Sequence, residues 1–276
     1  MRSIVVAIAV ATTWLVPADV PEAPGPESPQ TSFGSAAFTF VRVEYDSEGG
    51  YGEAFYDFDG RRWMRWETDY PEAEENFLYR IDELTTIRVN PEPISLRLTN
   101  AKLLDYPFIY MCDVGWQQLT DEEVTSLRNY LLRGGFLWVD DFWGDPEWDN
   151  FAFNMQRVFP DLAWREIPGD HPILSMVFPL EACPQVPAKI FWMQSGLSYD
   201  NPYPHRGLSG MEIDQVDHVN FRGLFDEKGR LMAVATHNSD IGDGWEREAE
   251  DEAYFEKFSV KSYAIGVNII VYALTH

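Results

Sequence analysis

Residues 108–142, FIYMCDVGWQQLTDEEVTSLRNYLLRGGFLWVDDF, set two apolar runs on either side of an amphipathic stretch. The first run, Phe108 to Val114, is rich in aromatic and β-branched residues and reads as a strand. Thr120 then N-caps a helix, and Glu123, three residues on, completes a capping box that satisfies two otherwise orphaned amides. Val124, Leu127, Leu131 and Leu132 fall on one helical face, and Gly134-Gly135 stop the helix. Phe136 to Phe142 is a second strand, carrying Asp140 and Asp141 near its end. Strand, helix and strand with short joints predict an α/β fold, a mostly parallel sheet flanked by helices.

The same alternation continues on both sides. Phe38 to Tyr45 reads as a strand, Glu72 to Thr85 as a helix with the stripe Phe77, Leu78, Ile81 and Leu84, and Ser95 to Leu98 as a strand. Downstream, Trp148 to Phe159 reads as a helix, and Trp164 to Ile167 and Ile190 to Met193 as extended. Asp226-Glu227-Lys228-Gly229 joins two runs as a hairpin. Tyr263 to Leu274 is expected to be an apolar helix packed on the sheet. Neither an internal repeat nor a second break in composition follows Phe38, so residues 38–276 are expected to form a single domain.

The chain has 276 residues, 45% of them hydrophobic, and a formal net charge of -24. Such a charge excludes binding to a nucleic-acid backbone, which needs clustered Lys and Arg, and disfavours an anionic membrane surface. It suits a well-solvated surface or cation binding. Residues 1–18 read as a signal peptide: Arg2 is followed by the uncharged run Ile4 to Val16 and small residues before Ala18. The run is shorter than the roughly 20 apolar residues of a membrane span. The expected address is therefore periplasmic or extracellular, with no membrane insertion after cleavage; a retained N-terminal anchor is the alternative. Residues 19–37 are Pro-rich and read as a linker. Cys112 and Cys183 allow at most one bridge, and free thiols are expected.

Polar residues gather at the predicted strand ends. Asp113, Asp140 and Asp141, and His237, Asn238 and Asp240, follow three separate apolar runs. Parallel sheets bind ligands at this carboxyl edge. Asp69, His171, Asp243 and Glu246 lie in further polar segments, so the candidate ligand-binding set is Asp69, Asp113, Asp140, Asp141, His171, His237, Asn238, Asp243 and Glu246. Asp141, His171 and His237 are the candidate ligands for a divalent metal, since mixed oxygen and imidazole donors suit several such ions. Helix caps and satisfied turn amides are the competing reading of the same residues. HNSDIGDGWE, residues 237–246, lacks the alternate-position ligands of an EF-hand; its Gly242 and Gly244 are expected to permit a sharp turn. No H-E-x-x-H, P-loop or G-x-S-x-G motif is present.

WETDYPEAEENFLYRIDELTTIRVNPEP, YLLRGGFLWVDDFWGDPEW, DHPI and THNSDIGDGWE, in this order, resemble the bacterial domain-of-unknown-function family numbered 4159. The resemblance implies a class I glutamine amidotransferase-like, flavodoxin-like three-layer sandwich. In such amidotransferases a nucleophilic Cys sits on a strained turn after a strand. Here the turn after Phe136 to Asp140 carries Asp141, Phe142 and Trp143, with neither Cys nor Ser. A non-catalytic domain binding a small molecule or an envelope protein partner is therefore expected, rather than a glutamine amidotransferase. The alternatives are a metal-dependent hydrolase, using Asp140, Asp141, His171 and His237 as ligands with Glu246 as base, and a structural partner in an envelope assembly.

Overall fold

Seven strands build the central sheet of the computed structural model, which describes residues 37–49, 53–200 and 216–276. They are β1 (Val41–Glu44), β2 (Ile94–Arg97), β3 (Phe108–Cys112), β4 (Phe136–Asp140), β5 (Trp164–Glu166), β6 (Asn220–Phe225) and β7 (Leu231–His237). Their spatial order is β2-β1-β3-β4-β7-β6-β5, and β6 alone among them runs against the others. Residues 37–276 form one compact unit. The expected signal peptide and nearly all of the expected linker lie outside the described residues.

Helices cover both faces, and strand alternation divides the core between them. Tyr110, Trp138 and Val234 point to the layer of α1 (Glu72–Leu84) and the C-terminal α5 (Val260–Thr275), meeting Phe77, Ile81 and Ile269. Ile109, Leu137 and Ala233 point the other way, onto Leu127 and Leu131 of α2 (Asp121–Leu132) and Phe151 of α3 (Gly144–Val158). Both faces are buried, which is why the parallel strands are nearly continuous apolar runs. The Thr120 capping box forms as expected, with the hydroxyl accepting from the Glu123 amide and Glu123 Oε2 accepting from the Thr120 amide. The β6–β7 hairpin also forms, its turn held by the Lys228 and Arg230 amides donating to Asp226 Oδ1. α5 carries the expected apolar Tyr263–Leu274 segment against the sheet.

Two segments depart from expectation. Ile190 to Met193 is not extended but lies in α4 (Lys189–Ser195), closed by Gly196 at φ +71°. A four-residue apolar run carries no period, and here Trp192 packs on Tyr254 and Phe258 while Ile190 and Met193 face solvent. α3 starts at Gly144, ahead of Trp148, because Asn238, distant in sequence, accepts from the Gly144 amide through Oδ1 at 2.9 Å.

Candidate functional site

Three neighbouring strands end the same way. β3, β4 and β7 run into Asp113 (φ 55°), Asp141 (φ 53°) and Asn238 (φ 63°), each in the left-handed region that Asp and Asn tolerate better than most side chains. Asp69, in the loop between β1 and α1, has φ 65°. Reversing the chain abruptly at the residue after a strand leaves that side chain at the edge instead of in a layer. Above this carboxyl edge lies a pocket of about 860 Å³. Its walls include Asp69, Asp113, Asp141, Glu147, Asp200, Asp240, Asp243 and Glu250, against the basic side chains Arg65, Lys189 and Arg247.

The carboxylates are unevenly compensated. Arg65 Nη1 donates to Asp113 Oδ2 at 2.6 Å, Lys189 Nζ to Glu250 at 2.5 Å, and Arg247 pairs with Glu246 at 2.7 Å. Asp69, Asp141, Asp200 and Asp240 have no ion-pair partner among the described residues. One oxygen each from Asp69, Asp240 and Asp243 lie within 4.8 Å of one another. Asp240 Oδ1 accepts from the Asp243 amide, and Asp243 Oδ2 accepts from the Lys189 amide and the Tyr254 hydroxyl. Asp69 Oδ2 is buried without a hydrogen-bond partner.

Burial and mutual repulsion raise these groups together. Desolvation, then the charges of Glu246, Asp243 and Asp141, push the Asp69 carboxyl well above its usual range. Asp240 is raised likewise by burial and then by Asp141 and Asp69, and Asp141 by burial and then by Asp113. Glu246 is pushed up to about 7 by burial and the Asp243 charge, with Arg247 opposing. A cluster of this kind is protonated in part when empty and gains its full charge when a cation arrives.

The structure brings Asp69, Asp113, Asp141 and Asp243 of the candidate set into this pocket, with Glu246 against Asp69. Asp140 is wholly buried beneath it, accepting from Thr236 Oγ1, Tyr110 Oη at 2.8 Å and the Gly242 amide at 3.0 Å. His237 lies between Phe142 and Trp148, with Nε2 hydrogen-bonded to the Gly144 carbonyl at 3.0 Å and Nδ1 to Asn220 at 3.1 Å. Burial pushes the imidazole down to about 3 and keeps the ring neutral, but its Nε2–H is donated to the Gly144 carbonyl and its Nδ1 lone pair is taken up by Asn220, so neither nitrogen is turned to an ion. Asn238 caps α3 and donates to the His218 carbonyl. His171 sits at the opposite, amino edge of the sheet, against Phe225 and Tyr272, the latter touching Phe136 at the start of β4. A strand of five residues spans roughly 15 Å, so His171 and Asp141 do not share an ion. Asp240, Asp200, Arg65, Lys189 and Arg247 were not among the sequence candidates; only Asp240 carried a signal, as a strand-end carboxylate.

The glycines of residues 237–246 act through space rather than through turn geometry. Gly242 has φ -60°, open to any residue, but a Cβ there would lie 3.1 Å from both Asp69 Oδ2 and the Tyr110 hydroxyl. A Cβ on Gly244 would overlap the Oγ and Cβ of the buried Ser262 on α5. Gly244→Ala is expected to cost about 1–3 kcal/mol as overpacking. Urea melts should show a smaller cost in a Ser262→Gly background, whereas an equal cost in both backgrounds would place the defect elsewhere.

A family model described as domain of unknown function DUF4159 matches residues 39–274. The chain belongs to this family. No curated protein matches it. In this DUF4159 domain the turn after β4 presents Asp141, and Cys112 lies in β3, fully buried and unbridged. Burial, opposed by Arg42 and reinforced by Asp141 and Asp69, pushes its thiol well above the usual range, away from a reactive thiolate. Cys183 is also a free, buried thiol.

Proposed function

We propose that the DUF4159 domain is a ligand-binding module on a flavodoxin-like, amidotransferase-like scaffold, and that Asp69, Asp240 and Asp243 hold a hard divalent cation in its pocket. Strand order supports the scaffold: β2-β1-β3-β4-β7 follows the order of flavodoxin-like sheets, which bind ligands where this pocket lies. The observation that carries the cation is the spacing of at most 4.8 Å among three carboxylate oxygens. Two oxygens bound at about 2.0–2.6 Å to one ion are at most about 5 Å apart, and all-oxygen donors suit Mg²⁺, Ca²⁺ or Mn²⁺. Asp69 Oδ2, buried and unpartnered, fits the same role.

Chelated protein titrated with each ion should melt higher, by about 2.7 kcal/mol of added stability at a hundredfold excess over Kd. Asp69→Asn is expected to remove that gain. No shift with any of the three ions overturns the cation reading. A metal-assisted hydrolase is the second reading, favoured by Glu246, whose carboxyl at about 7 beside Asp69 is matched to general-base work. Glu246→Gln would then abolish hydrolysis of p-nitrophenyl ester or phosphate probes while preserving the ion-induced shift. Export remains part of the proposal, on the reading of residues 1–18, and N-terminal sequencing of the mature protein tests it.

A further inference from the structure

The pocket changes character from floor to mouth. Phe58, on the hairpin Phe55–Phe58/Arg61–Met64, and Ile190, Phe191 and Met193, on α4, line it yet remain 48%, 53%, 39% and 60% exposed. Large apolar side chains gathered in the open around a polar cavity mark a ligand site, whereas scattered ones do not. The floor beneath them holds the carboxylates without ion-pair partners, and the basic side chains nearby are already committed to Asp113, Glu250 and Glu246. Among the described residues, eight carboxyl groups face three basic side chains in the walls, so carboxyls beyond those that one divalent ion engages are left to ionise against an organic cation.

Each ligand class meets a different fate there. An apolar anion would oppose the surplus negative charge. A neutral apolar molecule would desolvate carboxylates without supplying a counter-charge. We infer that the organic ligand of this pocket is an amphiphilic cation, with an ammonium or guanidinium group on the aspartate floor and an apolar body against Phe58, Ile190, Phe191 and Met193. The inference rests on the pocket being a ligand site but not on the divalent cation. Two sources carry this chemistry: a free aliphatic or aromatic amine, and a Lys or Arg side chain flanked by apolar residues in a peptide.

Calorimetry on the full chain in EDTA tests it, using butylamine, hexylamine, octylamine, octanol and octanoate. Octylamine should bind, with affinity falling about fourfold for each methylene removed, as expected for burial of about 0.8 kcal/mol per methylene. Octanol and octanoate should bind at least tenfold more weakly. A second arm compares acetyl-Leu-Lys-Phe-amide with the same peptide carrying norleucine for lysine. A tighter Kd for the Lys peptide than for octylamine identifies a peptide source, and a weaker one a free amine. In the Ile190→Ser/Met193→Ser variant, whose changed side chains are exposed, the chain-length dependence should flatten while any Mn²⁺-induced melting shift is unchanged. Octanol or octanoate matching octylamine, or no dependence on chain length in the unmutated protein, overturns the inference. Neither result depends on whether Mn²⁺ binds.

Discussion

Asp140→Ala should destabilise the domain by about 3–5 kcal/mol, while Asp141→Asn, one residue later, should raise the melting temperature of the ion-free protein. The two carboxylates differ in what surrounds them. Asp140 gathers the Thr236 and Tyr110 hydroxyls and the Gly242 amide, tying β3, β4, β7 and the turn after it together. Alanine would strand three buried donors, each worth about 1–3 kcal/mol when left unmade. Among the described residues Asp141 receives the Trp143 indole N–H at 2.9 Å and a weak thiol contact from Cys112, and it repels Asp113 and Asp140. Asparagine keeps the left-handed backbone tolerable and removes that repulsion. Denaturant melts of both variants decide the matter: an Asp140→Ala cost below 1 kcal/mol, or a destabilised Asp141→Asn, would show that the network has been misread.

The pH dependence of stability should be equally large and of unusual sign. Asp140 is pushed up to about 6 by burial, against its hydrogen bonds from Thr236 and Tyr110, and Glu246 to about 7, with Asp69, Asp141 and Asp240 also raised. Raised carboxyls make the folded state bind more protons than the unfolded one above about pH 4. Their contribution is therefore complete at acid pH and is lost as pH rises through the folded values. Between about pH 5.5 and 8, Asp140 and Glu246 together lose roughly 2.7 kcal/mol at 1.36 kcal/mol per pKa unit. His237, pushed down to about 3, works in the opposite direction, gaining stability as pH rises to its unfolded value, and returns roughly 1.4 kcal/mol over the same span. The other aspartates add to the loss. Melting temperature without divalent ions should fall from pH 5.5 to 8, and the shift produced by Mn²⁺ should grow over that range. A Mn²⁺ shift that shrinks with rising pH would refute ionisation of the cluster on binding.

The sequence was most informative where periodicity and caps agree. The stripe Phe77, Leu78 and Ile81, the box at Thr120 and the turn at Asp226 each specify their element locally, without tertiary help. Ile190 to Met193 did not, because only the packing of Trp192 on Tyr254 and Phe258 distinguishes a helical turn from a strand there. The strand-end rule named Asp113 and Asp141, and the further polar segments supplied Asp69 and Asp243, and these four line one pocket. Residue type alone could not separate Asp140, saturated by donors, from Asp141, which has few. Nor could it show that His237 serves as a packed, doubly bonded ring or that His171 lies at the far end of the sheet. Lys189 and Asp200 reach the pocket from segments with no strand-end signal at all.

The left-handed strand ends have a mechanical corollary. Asp113 donates its amide to the Asp140 carbonyl, Asp141 to the Ser239 carbonyl and Asn238 to the Phe142 carbonyl, so the chain reversals are cross-tied to one another by main-chain bonds. The floor is thereby pre-organised, and most of the entropy of arranging its carboxylates is lost during folding instead of at binding. The Phe55–Met64 hairpin and α4 stand at the mouth, outside these ties. On the proposed binding role, charge selectivity belongs to this cross-tied floor and shape selectivity to the two outer elements, so that changes on those elements retune what fits without disturbing what is attracted.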